Sequence, residues 1–139
     1  MKIKPNDPCP CHSERKYKKC CRPYHNGMNV PTPTTLVRAR YSAYALGLVD
    51  FIMDTTHPDS PHYEERTVRW RAGLEAYVLR SQFGNLEILE AEGDTVKYTA
   101  HIESLTGYSA DVTEECTFEQ VDGQWRYLDG IVEQGEVNE

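Results

Sequence analysis

Four of the five cysteines lie within thirteen residues near the start of the chain, at Cys9, Cys11, Cys20 and Cys21. Their spacing suits disulfides poorly, because a bridge between the neighbours Cys20 and Cys21 would close a strained ring. Two close pairs can instead turn their sulfur atoms toward one tetrahedral ion, and thiolates match the borderline-soft zinc ion. The spacing therefore predicts one closed, structural zinc site with these four residues as ligands.

Two alternatives for this cluster stay open. His12 or His25 could replace one cysteine as a ligand, although a histidine in such a loop is more often exposed or hydrogen-bonded to a ligand. The adjacent Cys20 and Cys21 could also serve as a thiol redox switch.

Positive charge is concentrated around the cysteines. Residues 1–26 carry seven basic and two acidic side chains, a net charge of +5, whereas the rest of the chain carries eight basic and twenty acidic ones, a net charge of -12. This asymmetry favours acidic partners for the N-terminus and argues against sequence-specific binding of nucleic acid by the remainder. The alternative is that the lysines only solubilise a loop. The candidate partner-binding residues are Lys16, Lys18, Lys19 and Arg22.

The chain has the length of one main domain with a small appendage, since it contains 139 residues. No long apolar stretch follows the basic start, and prolines interrupt that start at positions 5, 8 and 10. We therefore expect a soluble cytoplasmic protein that does not bind membranes. A reducing compartment also favours thiolate ligands over disulfides.

The segment CPCHSERKYKKCC, residues 9–21, resembles the SEC-C motif, the zinc-binding element at the C-terminus of the translocation motor SecA. The usual form of that motif is CPCGSGKKYKKC followed by C or H. The cysteines match throughout, but His12-Ser13-Glu14 replaces Gly-Ser-Gly, so side chains occupy a turn that usually exploits glycine. The resemblance implies a noncatalytic adaptor, because the SecA element engages an export chaperone and the ribosome. An acidic protein surface or the ribosome is thus the expected partner.

The middle of the chain has the apolar periodicity of helices. A proline-threonine linker ends in a predicted helix cap at Thr34 or Thr35, and the helix that follows stops at Gly47. A second short helix ends at His57-Pro58, because a residue before proline avoids the helical region. A third helix is predicted from about residue 63 to residue 80.

From Leu86 onward the apolar period becomes two, which is typical of strands. Hairpins are predicted at Gly93-Asp94 and at Asp122-Gly123, joined by a three-residue loop that ends at Gly107. In the first hairpin Glu90 and Lys97 are predicted to meet on one face. The other face holds apolar residues, namely Leu89, Ala91, Val96, Tyr98, Ala100 and Ile102. Helices followed by an antiparallel sheet indicate an α+β fold.

This order of elements, with RARYSAYALG, a THP segment, RAGLE and GQWRYLDG behind the cysteines, resembles the YchJ family. The larger part of that family has a nuclear transport factor 2-like fold. The resemblance implies a cone, meaning helices packed on a curved antiparallel sheet, often around a pocket. It divides the chain into a SEC-C zinc knuckle (1–28, called the knuckle below), a linker (29–33), the nuclear transport factor 2-like domain (34–133) and a tail (134–139).

One acidic residue falls on the apolar face of the predicted sheet. Glu114 shares that face with Phe118 and Tyr127. The register places Tyr127 opposite Phe118, Tyr98 opposite Glu114 and Asp129 opposite Cys116. A carboxylate on an apolar face must be paired, hydrogen-bonded or functional, and beside a phenol it could transfer protons. These residues, with His57 at a helix end, are the candidates if the cone binds a small molecule or catalyses a reaction.

A structural role for these residues is the favoured alternative. Glu114 and Asp129 would then pair with Tyr98, Arg38 or Arg40, and His57 would be a capping or packing histidine. His101 and Glu103 are predicted on the outer face, which could also form a homodimer.

Overall fold

The computed structural model describes residues 3–133, and its centre is one sheet of four antiparallel strands in the order β1-β2-β3-β4. The strands are β1 (Ser81–Glu92), β2 (Thr95–Ser104), β3 (Ser109–Val121) and β4 (Gln124–Glu133). Four α-helices precede them, namely α1 (Arg22–His25), α2 (Pro33–Leu46), α3 (Val49–Asp54) and α4 (Thr67–Leu79). The predicted α+β architecture is confirmed, and the predicted tail at 134–139 lies outside the described residues.

Helix α2 begins earlier than predicted. Its N-cap is Thr32, whose Oγ1 accepts a hydrogen bond of 3.1 Å from the Thr35 amide, and Pro33 takes the first helical position. Proline is favoured there because the amide hydrogen it lacks would have no partner inside the helix. The helix therefore begins inside the predicted linker. It ends as predicted at Gly47, whose φ of 76° favours glycine.

Strand β1 of the first hairpin contains a bulge that could not be recognised from the apolar pattern of the sequence. Glu90 pairs with Lys97 as predicted, but the register shifts between Ile88 and Glu90. Ile88 therefore lies opposite Tyr98, whereas Leu89 is the extra residue and is 44% exposed. The prediction that Leu89 joins the apolar face is wrong, because one inserted residue moves a side chain to the other side of a pleated strand.

Another bulge changes the register between β3 and β4, where Leu128 is the extra residue. Phe118 pairs with Tyr127 as predicted, but the register then shifts, so that Cys116 lies opposite Gly130. Asp129 lies opposite Thr117 and is exposed, and its Oδ1 accepts a hydrogen bond of 2.8 Å from the Gly130 amide. The predicted pairing of Asp129 with Cys116 is therefore wrong.

Helix α2 packs on the sheet and forms the main core with it. Leu36, Val37 and Tyr41 are buried against residues of all four strands, which are Leu86, Val96, Ala100, Cys116, Phe118 and Tyr127. The segment after α3 pairs with β4, since the Tyr127 amide donates to the Thr55 carbonyl and the His57 amide donates to the Tyr127 carbonyl, both at 2.8 Å. Within residues 3–133 no helix has the length and apolar character needed to span a membrane.

The knuckle is packed against helix α2. Ala39 of α2 is fully buried in a cluster with the aromatic ring of Tyr17 and the four N-terminal cysteines. Val30, inside the predicted linker, is only 8% exposed and belongs to the main core. Part of the predicted linker therefore belongs to the main core.

Two shortened chains test where the main core begins. A chain that starts at residue 29 retains Val30 and is expected to unfold cooperatively, whereas one that starts at residue 32 loses this buried side chain. Burying a valine contributes about 1.5–3 kcal/mol, so the shorter chain should be less stable by roughly that amount. Urea unfolding of both chains measures the difference. Equal stabilities would contradict the assignment of Val30 to the core.

Candidate metal centre and cone cavity

Two tight turns hold the cysteines of the knuckle. Around the first pair, the Cys9 amide donates to the Arg15 carbonyl at 2.9 Å and the His12 amide donates to the Cys9 carbonyl at 3.1 Å. The second pair follows a 3-10 helix, Tyr17–Lys19, and precedes helix α1. The Cys20 amide closes that turn by donating to the Tyr17 carbonyl at 3.0 Å. Each cysteine pair is thus positioned by local backbone hydrogen bonds.

The four thiols converge as the spacing predicts. Their sulfur atoms all lie within 4.8 Å of one another, and all four side chains are buried. The Cys11 and Cys20 sulfurs are 3.5 Å apart and the Cys20 and Cys21 sulfurs 4.0 Å apart, so these are free thiols rather than disulfides. Four sulfurs around one zinc ion at about 2.3 Å would be separated by roughly 3.8 Å. The donor set therefore fits a tetrahedral, thiophilic dication.

Crowding makes the four thiols electrostatically unequal. Hydrogen bonds from Cys21 and Cys9 hold the pKa of Cys11 far below its usual value. The reciprocal hydrogen bond to Cys11 raises the pKa of Cys9 to about 12, and that of Cys21 rises also, chiefly through its own hydrogen bond to Cys11. Negative charges this close repel each other strongly at low dielectric. Four thiolates can share this site only if a cation neutralises them.

Residues around the centre hold the ligands in place. The hydroxyl of Ser13 lies 3.1 Å from the Cys20 sulfur, within the range of a hydrogen bond to sulfur. From helix α2, Arg38 Nη1 donates to the Cys11 carbonyl at 3.0 Å and lies 3.9 Å from the Cys11 sulfur. Outer contacts of this kind orient metal ligands. Arg38 therefore contacts the knuckle rather than Glu114, one of its predicted partners.

Neither histidine of the knuckle is among the clustered ligands. His12 is exposed, whereas His25 Nδ1 lies 2.7 Å from the Tyr17 hydroxyl and its Nε2 lies 2.8 Å from the Ala39 carbonyl. Burial lowers the pKa of His25, so the neutral ring accepts from Tyr17 and donates to Ala39. With both nitrogens occupied, His25 fastens the knuckle to α2. Sequence reasoning missed this role because α2 is distant along the chain.

The turn between the cysteine pairs has a strained backbone at the two positions where the SEC-C motif usually has glycine. His12 and Glu14 adopt the left-handed backbone conformation, with φ of 63° and 72°. These are the two positions of Gly in Gly-Ser-Gly. The turn therefore keeps the backbone geometry that glycine permits, at an energetic cost for residues with a Cβ.

The cone encloses a cavity of about 550 Å³ that helices α2 and α4 share with the sheet. Glu114 lies in its lining, and the predicted position of Tyr98 opposite it is confirmed. The Tyr98 hydroxyl donates to Glu114 Oε1, and the Tyr127 hydroxyl donates to Glu114 Oε2 at 2.7 Å. Sequence reasoning placed Tyr127 on this face but missed its hydrogen bond, because the bulge in β4 was not foreseen.

Gly130 leaves the space that the Glu114 carboxylate fills. A Cβ at this position would lie 1.8 Å from Glu114 Oε2 and 2.6 Å from the Tyr127 hydroxyl oxygen. The bulge that places Gly130 here also turns Asp129 away from the cavity lining. Glu114, Tyr98 and Tyr127 are thus brought together, whereas the candidate Asp129 is separated from them.

Two other basic residues near the cavity have structural contacts. Arg40 Nη1 donates to the Ile52 carbonyl at 3.1 Å and to the Thr55 hydroxyl at 2.8 Å, and its guanidinium carbon lies 4.7 Å from the centre of the Tyr127 ring. His57 is buried, and its Nε2 lies 2.6 Å from Glu119 Oε1 while its Nδ1 accepts from the Asp59 amide. The candidate His57 therefore packs against the sheet edge rather than facing the cavity.

Comparisons with known proteins agree with this architecture. A family model described as YchJ, middle NTF2-like domain, matches residues 32–130, and a SEC-C motif model matches residues 6–23. A UPF0225 protein from Deinococcus radiodurans is 41% identical over 126 residues, which cover 90% of this chain and 89% of that protein. A UPF0225 protein from Vibrio vulnificus is 38% identical over 128 residues, 88% of this chain and 73% of that protein.

Two solved structures of SEC-C proteins have the same fold. The solution structure of a SEC-C motif containing protein from Rhodopseudomonas palustris has a TM-score of 0.74 and 29% identity, over 90% of this chain and 98% of that chain. The crystal structure of a SEC-C motif containing protein from Psychrobacter arcticus has a TM-score of 0.70 and 20% identity, over 96% of this chain and 86% of that chain.

Glycine substitutions test the strain in the cysteine turn. Replacing His12 and Glu14 with glycine should stabilise the knuckle by up to about 1 kcal/mol at each site, because glycine adopts positive φ without a steric penalty. Thermal melts and metal retention against a chelator measure the effect. Lys18→Gly, in the 3-10 helix, is the control and should destabilise the protein. A double variant that melts at a lower temperature than the parent chain would contradict this account.

Proposed function

This chain belongs to the YchJ family, and we propose that its knuckle is a structural zinc centre that serves a noncatalytic adaptor. The knuckle would dock the protein onto an acidic macromolecular surface, either an acidic patch of a protein or ribosomal RNA. The observation that carries the proposal is the convergence of four buried sulfur atoms within 4.8 Å.

Zinc is the proposed metal because of the ligand chemistry. Four cysteine sulfurs form the closed ligand set typical of structural zinc, with no position left for water or substrate. Structural zinc in short peptides contributes on the order of 10–16 kcal/mol of apparent binding free energy at neutral pH. The short knuckle has little apolar surface of its own to bury, so a metal is an effective means of folding it.

The basic side chains of the knuckle point to the adaptor role. Lys16, Lys18, Lys19 and Arg22 are all exposed, whereas the cysteines pack against helix α2. Four thiolates and one zinc ion change the charge of residues 1–26 from +5 to about +3. This basic knuckle is joined to the rest of the chain, which carries a charge of -12. An acidic surface therefore attracts the knuckle and repels the rest of the chain.

A thiol redox switch is the competing function. A redox-active cysteine is usually accessible to solvent, whereas these four side chains are buried beneath the exposed turns of the knuckle. Burial together with mutual clustering favours the closed metal site. Alkylation before and after chelation separates the two functions, because zinc thiolates resist modification until the metal is removed.

If the knuckle holds zinc, the metal content of the protein depends on the four cysteines of the knuckle. Protein prepared without added metal should contain about one zinc ion per chain by elemental analysis. Cys20→Ser combined with Cys21→Ser should reduce the content to near zero. Cys116→Ala is the matched control, because this cysteine lies in the main core, and should retain the ion. Unchanged zinc in the double variant would refute the ligand assignment.

The adaptor role predicts weak binding that depends on the knuckle lysines. Sedimentation with purified ribosomes and binding to immobilised poly-L-glutamate would each be measured at about 50 mM and about 200 mM salt, since screening and counterion release weaken such contacts as salt rises. Replacing Lys16, Lys18 and Lys19 with glutamate should reduce binding at least about tenfold, with zinc content and melting temperature unchanged.

A charge-matched variant controls for net charge. Replacing Arg66, Arg69 and Arg80 with glutamate changes the charge equally, at exposed positions around helix α4. This variant should bind both probes as the parent chain does. Equal losses in the two variants, or binding that does not respond to salt, would remove the basis for an adaptor that acts through its knuckle.

A further inference from the structure

The cavity in the cone has the size and lining of a small-molecule site. Its volume of about 550 Å³ is within the usual range for such pockets. Aromatic rings make up much of the wall, and they include those of Tyr41, Trp70, Tyr77, Phe83, Tyr98 and Tyr127. Faces of aromatic rings carry partial negative charge and attract cations.

A carboxylate lies among these rings. Burial, with the charge of Glu114 adding to it, raises the pKa of Tyr98 and of Tyr127, so both phenols remain protonated donors to Glu114. Each carboxylate oxygen accepts one of these hydrogen bonds and retains a further lone pair. Glu114 therefore can accept a hydrogen bond from a ligand as well.

Among residues 3–133, the one permanently positive residue in the lining is Arg40, and its guanidinium already makes hydrogen bonds. Nη1 donates to Ile52, Thr55 and Thr56, and the group lies over the Tyr127 ring. A second acidic residue, Glu64, also lines the cavity and is exposed. The permanent charges of the lining thus sum to negative, which disfavours an anionic ligand.

We propose that the cavity binds a small organic cation, a primary ammonium group on an aromatic or aliphatic body. The ammonium group donates to the Glu114 carboxylate, and the apolar body lies between the aromatic rings of the sheet and helix α4. Such a site is independent of the proposed adaptor role, because it uses neither the knuckle nor its lysines.

Three probes of similar size and different charge test the proposal on the unsubstituted chain. They are 2-phenylethylammonium, the neutral 2-phenylethanol and the anionic 3-phenylpropionate, titrated by calorimetry and by two-dimensional NMR. The ammonium probe should bind at least about tenfold more tightly than the other two, since a charge pair in a partly buried site outweighs a neutral hydrogen bond. It should shift the indole signal of Trp70, which lines the cavity, more than that of Trp125, which is outside the lining.

Two variants locate the cation at Glu114. Glu114→Gln keeps the shape but removes the charge, and Gly130→Ala places a methyl group where the carboxylate lies. Both substitutions should weaken the binding of 2-phenylethylammonium at least tenfold. Glu115→Gln is the control, because the neighbouring side chain is exposed and lies opposite Lys97, and it should leave binding unchanged.

Three outcomes of the titrations would overturn the proposal. Tighter binding of 3-phenylpropionate would assign the cavity to anions and its selectivity to Arg40. Binding of no probe at about 10 mM, or equal binding of all three, would also refute it. Because the comparison of probes uses the unsubstituted chain, it decides the question even if a variant fails to fold.

Discussion

Mutual repulsion among four buried sulfurs is the constraint on which the N-terminal part of this protein depends. Sulfur atoms within 4.8 Å of one another cannot all ionise in a low-dielectric site unless a cation lies among them. A dication would convert that repulsion into four bonds, and the turns around Cys9 and Cys20 would need only to present the ligands. Coordination of the proposed zinc ion would be far stronger than the cost of the strained backbone at His12 and Glu14.

Helix α2 connects this centre to the rest of the fold. Arg38 and Ala39 contact the knuckle through the Cys11 carbonyl and the His25 ring. One or two residues further on, Arg40 and Tyr41 line the cavity. A single helix thus has one face on the cysteine centre and another on the cone, because successive residues point in directions about 100° apart. The knuckle is therefore part of the packed structure rather than an appendage on a free linker.

Local chemistry explains which features could be predicted from the sequence. The cysteine spacing, the glycine end of α2 and the Gly107 loop each follow from a few adjacent residues, and the pairing of Tyr98 with Glu114 follows from uninterrupted alternation between them. The bulges at Leu89 and Leu128 could not be predicted, because these residues alternate as ordinary strand residues do. Each bulge shifts every pairing beyond it, which is why Asp129 was misplaced and the space at Gly130 was missed. The docking of His25 on α2 depends on tertiary packing, which local pattern does not contain.

The ligands around a metal ion in the knuckle decide whether the four cysteines form a closed zinc site. X-ray absorption at the zinc edge, on protein purified without added metal, reports the number, type and distance of the ligands. We expect four sulfur ligands at about 2.3 Å and no nitrogen or oxygen ligand. A nitrogen ligand at about 2.0–2.1 Å, or protein in its reduced form without bound zinc, would contradict it.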